Sequence, residues 1–401
     1  MLDTFPTTGA DSRFTQKPLF PWVYSSKELL DLEHEEYYRK NWILVCHISD
    51  VKEPGDFIVL DFYRESLVVT RAKNGSLYAM KNHCRHRAAR LLDGQGNCKT
   101  RIQCPYHGWS YDLNGDLKAI PKEPIFPEAK KECLGLHKLQ LEEFNSWVFV
   151  KIEGEGPSVA EMWGDYAENL APYRMEEMVP LAPIKTKIWD ANWKIAWDNY
   201  LESYHVPVGH PGFNRICEEN LDELEVLDRG VSRGTFTVRT KLSKEADEAR
   251  YQELIGECNQ HLPEELRRLW DQYGMAPGLG FDIYPELVDI FQIFPLNENQ
   301  TMIRYGVYGL PSDDPKLNEL RQLNFKIMDQ VDNEDKEITL RVQEGMNSKD
   351  YTPGPLALEE VGIAQFHDHL RDIIPAIGLE QAPEPGSLRR INEEMKSQDR
   401  E

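Results

Sequence analysis

Four soft metal ligands stand in two tight pairs, Cys84-x-His86 and Cys104-x-x-His107, within the stretch CRHRAARLLDGQGNCKTRIQCPYH. No other feature limits the fold as strongly. Two loops must meet, and short, stiff elements must hold them in place. The flanking sequence supplies such elements. WILVCHI, GDFIVLDF, SLVVTRA and SLYAMKNH read as β-strands, with Asn74-Gly75 as a hairpin turn between the last two. RIQCPY, WSYDL and SWVFVKI follow, with Asn114-Gly115 as another turn. Residues 43–153 therefore read as an all-β domain carrying the ligand pairs on two loops, with GEGPS at 154–158 punctuating its end.

A Cys₂His₂ set is a legitimate zinc site, although zinc pairs are usually separated by roughly two to five residues and Cys84-x-His86 is tighter. A [2Fe–2S] centre of the Rieske type also takes two cysteines and two histidines, the cysteines on one iron and the histidines on the other. One Cys and one His from each loop satisfies that arrangement. His83 adjoins the motif but is out of register with it.

The wider pattern, NHCRHRAARLL followed by CPYHGWSYDLNGDL, resembles the Rieske motif of ring-hydroxylating-type oxygenase α subunits, and the resemblance spans nearly the whole chain. It implies that Cys84 and Cys104 hold one iron and that His86 and His107 hold the outer one. Pro105, Gly108 and Trp109 would shape and cover the cluster.

The second part of the chain mixes helix and strand. EMWGDYAENLAPY and NWKIAWDNYLESYH read as helical, as do the long segment ELRQLNFKIMDQVDNEDKEITLRVQEG and ALEEVGIAQFHDHLRDII. GTFTVRTKL, LVDIFQIFPL and TMIRYGVYGL read as strands. This grouping makes residues 154–401 an α+β domain. The resemblance implies an antiparallel sheet with a helix-grip pocket of the START type. A serine-capped helix, SSKELLDLEHEEYYRKNW, makes residues 1–42 a helical segment expected to pack with the catalytic domain. The charged tail after Ala382 reads as loosely ordered.

A second constellation lies in NWKIAWDNYLESYHVPVGHPGF. On a continuous helix Asp198, Glu202 and His205 would share one face, and Pro207 and Gly209 would let the chain turn His210 back toward them. Two histidines and a carboxylate form the facial triad of non-haem Fe(II) oxygenases. Taken alone, H-x₄-H describes surface histidines equally well. The resemblance assigns His205 and His210 to a mononuclear iron and makes Glu202 the acidic bridge from His205 to His107 of a neighbouring subunit. Asp198 is either a carboxylate that orients a ligand or an ordinary solvated one. The third ligand is expected in VDNEDKEITLRVQEGMNS or just before it, where Asp329, Asp332 and Asp335 compete. Asp335 matches the family best, and Asp332 is the runner-up.

Composition bounds the partners. The net charge of −22 argues against nucleic acid. No run of roughly 18 apolar residues is present, and the N-terminus lacks a secretory pattern, so the reading is cytoplasmic with no membrane partner. Seven cysteines argue for reduced thiols. No G-x-G-x-x-G follows a strand, so the chain carries no nicotinamide or flavin domain of its own. The resemblance then implies a terminal oxygenase component fed by a separate NAD(P)H-dependent reductase or a ferredoxin, assembled as a head-to-tail homotrimer with electron transfer across subunits. O₂ and a small organic molecule, aromatic or quaternary ammonium, would be its substrates. Phe281, Tyr284, Phe291, Phe294 and Tyr305 could cage a cation, or simply form core. Two other readings remain at this stage: a Rieske electron carrier without oxygenase activity, and a zinc-stabilised binding module.

Overall fold

The structure is a computed structural model that describes residues 14–220, 225–226 and 230–398. The first thirteen residues, part of the N-terminus read as lacking a secretory pattern, lie outside the described residues. The chain divides into two compact units. One comprises Tyr38–Gly164 with Met178–Pro180; the other comprises the chain before Tyr38, Asp165–Glu177 and the chain from Leu181 onward.

The first unit is built from three small antiparallel sheets. Ile43–His47 pairs with Trp147–Lys151, which pairs with Gln140–Phe144. Glu65–Arg71 lies between Leu77–Lys81 and Asp56–Phe62, and Gln95–Asn97 extends the far edge. Ile102–Gln103, Ser110–Tyr111 and Leu117–Ala119 make the third sheet. The hairpin turns need left-handed backbone, which Gly75 and Gly115 provide with φ of 85° each. Cys84 and Cys104 are part of the core of this unit, packed with Met80, Ile102, Trp109 and Tyr111.

The second unit is one antiparallel sheet gripped by helices. Its order runs Lys185–Trp189, Gln300–Gly309, Leu287–Asn297, Leu279–Tyr284, Leu269–Met275, Val231–Val238, Cys217–Glu219. A long helix, Pro315–Met346, crosses this unit. It starts cleanly because Asp314 accepts from Lys316 N and Pro315 occupies the first turn. Leu320 and Ile327 of this helix pack with Phe213, Tyr251, Trp270 and Tyr284. Helix Trp193–Tyr200 is tied to it: Asn192 caps the helix through Lys194 N, and its own N–H donates to Gln343 Oε1 over 2.7 Å. Lys194 and Glu33, both fully buried, pair at 2.8 Å, and Trp193 Nε1 also donates to Glu33.

Two readings of the sequence need correction. The tail is ordered: Leu388–Gln398 is a helix that buries Leu388 and Asn392. Asn392 accepts from Ala376 N, and Lys396 and Arg389 pair with Glu36 and Glu35, so its charges have structural partners. The helix read through Glu202 and His205 stops at Tyr200, where Leu201 caps it. No helix among the described residues is long and apolar enough to cross a membrane.

Candidate metal centres and substrate cavity

The two Cys/His loops have the same backbone. Cys84 N donates to Ala89 O at 2.8 Å and its carbonyl accepts from Ala88 N; Cys104 N donates to Trp109 O at 2.8 Å and its carbonyl accepts from Gly108 N. The fifth residue of each turn is left-handed, Ala88 with φ of 55° and Gly108 with φ of 74°. Each turn drives its cysteine inward, to 3% exposure in both cases, and leaves its histidine further out. The imidazoles of His86 and His107 meet with ring centroids 4.6 Å apart, and Trp109 stacks flat on His86 at 4.9 Å. Tyr111 Oη lies 3.2 Å from Cys84 Sγ and accepts from Arg85 N.

This donor set fits a Rieske cluster. Burial, and then the adjoining Cys104, push the Cys84 thiol up, so this sulfur is costly as a bare thiolate and suited to a cation. His86 Nδ1 is buried without a hydrogen-bond partner among the described residues. Burial and the nearby His107 and Arg87 hold the His86 imidazole below its ordinary range, which keeps it neutral and able to ligate. His83 is exposed.

In the second unit, His205 begins a single helical turn, Val206–Gly209, and His210 ends it. Gly209 keeps the turn slim: a Cβ would lie 2.9 Å from Ile338 Cδ1 and 3.2 Å from His205 Cδ2, so a larger residue would push on the His205 ring. The turn brings His205 Nε2 to 3.1 Å from His210 Nε2. From the long helix, Asp335 Oδ1 approaches His210 Nε2 at 2.9 Å and His205 Nε2 at 3.5 Å. One ligand atom from each of the three residues lies within 4.8 Å of the others. Two imidazole nitrogens facing one another and one carboxylate oxygen are what a divalent cation would bridge, so the residues fit a mononuclear iron.

Carboxylates support both rings from behind. His205 Nδ1 faces Glu202 Oε1 at 2.5 Å, and His210 Nδ1 faces Glu334 Oε2 at 2.9 Å. Asn199 Nδ2 donates to Asp335 Oδ1 at 2.8 Å. Burial opposes charging of His205, but Asp335 and Glu202 outweigh it and push the imidazole up to about 9. His210 is raised in the same way by Asp335 and Glu334. Burial works against ionisation of Asp335, yet the two imidazoles hold its carboxyl below the ordinary range.

Of the competing acids, the structure brings only Asp335 against both histidines. Asp332 accepts from Tyr305 Oη and pairs with Lys187, which also binds Asp329 at 2.8 Å. Asp198 accepts from Tyr24 Oη at 2.9 Å and faces His367 Nε2 at 3.0 Å. Glu334 and Asn199 were not singled out from the sequence. The available signal for Glu334 was its place beside Asp335, which puts it on the same turn of one helix.

The triad opens on a cavity of about 570 Å³. Tyr284, Phe291 and Tyr305 of the predicted cage line it, joined by Trp189 and Tyr200; Phe281 and Phe294 are buried in the core instead. Tyr200 stacks between Trp197 at 5.2 Å and Phe291 at 5.6 Å.

Comparison with known proteins agrees with both centres. Residues 41–130 match the Rieske [2Fe-2S] domain, and residues 168–376 match the ring hydroxylating alpha subunit (catalytic domain). The carnitine monooxygenase oxygenase subunit of Acinetobacter pittii is 28% identical over 83% of this chain and 86% of its own length. The large oxygenase component of a 2,4-dinitrotoluene dioxygenase system from a Burkholderia species is 32% identical over 51% of this chain and 46% of its own. The fold is that of a solved quaternary ammonium Rieske monooxygenase, described for carnitine oxidation by gut microbiota and inter-subunit electron transfer. It superposes with a TM-score of 0.76 at 23% identity, covering 93% of this chain and all of that one.

Proposed function

From the premise that this chain belongs to the ring hydroxylating α-subunit family and is a Rieske non-haem iron oxygenase, we propose that it is the terminal component of a multi-component system. It takes electrons from a separate reductase or ferredoxin and uses O₂ to hydroxylate or oxidatively demethylate a small organic molecule. The observation that carries this reading is the convergence of His205, His210 and Asp335 at the wall of an aromatic-lined cavity. A plain electron carrier would not need that site, and a zinc module would need neither the cavity nor the open positions of a three-ligand centre.

Cys84, Cys104, His86 and His107 would hold the cluster; His205, His210 and Asp335 would hold the iron. When bound, these groups supply one-electron transfer and O₂ activation respectively. The chain's own residues set the geometry. Glu202 and Glu334 each accept from the Nδ1 side of a histidine, fixing the tautomer that presents Nε2 to the site. Asn199 steers Asp335 Oδ1, and Trp189, Tyr200 and Phe291 give the cavity an aromatic wall. In domain terms, we assign 43–153 to the cluster and 154–401 to catalysis, with 1–42 packing on the latter.

Glu202 is the proposed link between the centres, bridging His205 to His107 of a neighbouring subunit in a head-to-tail trimer. The support is its position on His205 Nδ1 and the inter-subunit transfer described for the solved relative. Glu202→Gln keeps the shape and removes the charge. Both centres should stay occupied and the cluster reducible, while its re-oxidation by O₂ with substrate present slows. A wild-type re-oxidation rate in rapid mixing would remove the bridging role.

A further inference from the structure

The cavity wall carries a pair of acids that the iron chemistry does not use. Asp282 and Asp289 stand directly opposite one another on the antiparallel strands Leu279–Tyr284 and Leu287–Asn297, and both line the cavity. Two ionised carboxyls in these opposed positions would repel, so the pair ionises fully only beside a cation. Asp282 is 7% exposed and, among the described residues, has one hydrogen-bond partner, Tyr200 Oη at 2.6 Å. Asp289 has no hydrogen bond or ion pair among the described residues, and its Oδ1 is buried without a donor. Its neighbour on the other side is Val307, which offers none.

The positive groups on this wall are committed elsewhere or exposed. Lys187 is held by Asp329 and Asp332, Arg233 is held by Asp271 at 2.7 Å, and Lys185 is exposed. Burial, and then the neighbouring Asp282 and Asp332, push the Asp289 carboxyl well above its ordinary range. A fold that keeps an unpaired acid in such a place gives up stability, which is common where a ligand completes the pairing. An aromatic ring is in reach: Phe291, which also lines the cavity, lies two residues along the same strand face, with Tyr200 stacked on one side of it.

We infer that the substrate's head group is an ammonium ion bearing at least one N–H, received by Asp289 beside the Phe291 ring. A neutral ring would leave the acid pair unmet. A quaternary ammonium would supply charge and a cation–π contact but no proton for the carboxylate. This inference rests on reading the cavity as the substrate pocket.

The test is calorimetric titration, without O₂, of the protein carrying both iron centres. Three probes share one frame: N,N-dimethylbenzylamine, N,N,N-trimethylbenzylammonium and neutral isobutylbenzene. The protonated tertiary amine should bind at least about tenfold tighter than either of the others. In Asp289→Leu that preference should vanish, and Tm should rise, because an acid with a buried, unpartnered oxygen has been removed. A merely structural acid would give a lower Tm. Asp289→Asn, which keeps the shape, provides the same comparison if the leucine variant does not fold, with amine affinity falling at least about tenfold. Equal binding of isobutylbenzene, equal binding of the quaternary ion, no binding of any probe, or a preference that survives the loss of Asp289 would each overturn the inference. Binding is read apart from turnover. The head-group assignment is therefore judged on affinity alone, and the oxygenase reading on O₂ uptake measured separately.

Discussion

Cys84, His86, Cys104 and His107 sit on two loops of one β-unit, each closed by the same turn. His205, His210 and Asp335 come instead from a one-turn helical break and from a long helix far downstream. The first set is held by backbone that would adopt the same shape at either loop, because a left-handed residue at the fifth position forces it. The second is held by side chains: Glu202, Glu334 and Asn199 aim the three proposed ligands. The contrast implies different sensitivities. The cluster site should fail when a ligand is lost, and the mononuclear site should also fail by degrees when its supports are changed.

The largest effect should come from the cluster ligands. Cys84→Ser or Cys104→Ser should abolish the Rieske EPR signal of the reduced protein. A full signal in either variant would mean that the sulfur ligands are elsewhere. Next in size, His205→Ala and His210→Ala should lose turnover while keeping that signal, measured as O₂ uptake with product formation. If turnover died together with the cluster, the two ligand sets would not be separate.

The cluster motif was legible because its ligands are close in sequence, with Asn-Gly hairpins on either side and Gly108 in its second turn; the first turn uses Ala88 and carries no such signal. The mononuclear histidines were legible as a spacing, but their geometry was not. The predicted single helix face carrying Asp198, Glu202 and His205 does not exist, because the helix ends at Tyr200 and His205 starts a new turn. Asp335 could be ranked by resemblance alone. Only the packed long helix separates it from Asp332, which is taken by Tyr305 and Lys187. Strands Leu269–Met275 and Leu279–Tyr284 escaped notice for a related reason. Asp271, Gln272, Gly274, Gly280 and Asp282 interrupt their apolar alternation. Gly280 admits the Tyr200 ring, which a Cβ would meet at 2.6 Å, and Asp282 faces the cavity. Functional positions broke the local rule that would have revealed the strand.

A graded effect should follow at Glu334. Glu334→Gln leaves all three ligands in place but weakens the acceptor behind His210. Affinity for Fe(II) should fall by roughly 10–100-fold, as for other carboxylates behind ligating histidines. Unchanged affinity in a metal titration would mean that Glu334 is only a surface acid and that the contrast between the sites is overstated.

The smallest effect concerns the sheet that carries the cavity. Glu286 turns the hairpin between the two acid-bearing strands and is 3% exposed. Burial pushes it up to about 7, despite the bonds from Tyr251 and Asn324. The unfolded chain releases that proton near pH ~4.3. Between these values the folded state holds an extra proton, so stability falls as pH rises from about 4.3 toward 7. Glu286→Gln should flatten this fall by on the order of 1–3 kcal/mol in denaturant melts across that window. A parallel pH profile in wild type and variant would show that Glu286 is not protonated in the fold.

The central claim is that one chain holds two iron centres with separate ligand sets. Mössbauer spectroscopy of ⁵⁷Fe-loaded wild type and Asp335→Ala tests it most directly. The wild type should show a localised Rieske pair together with a mononuclear high-spin ferrous component, and Asp335→Ala should lose only that component. An unchanged ferrous component in Asp335→Ala, or its loss together with the Rieske pair, would contradict the account.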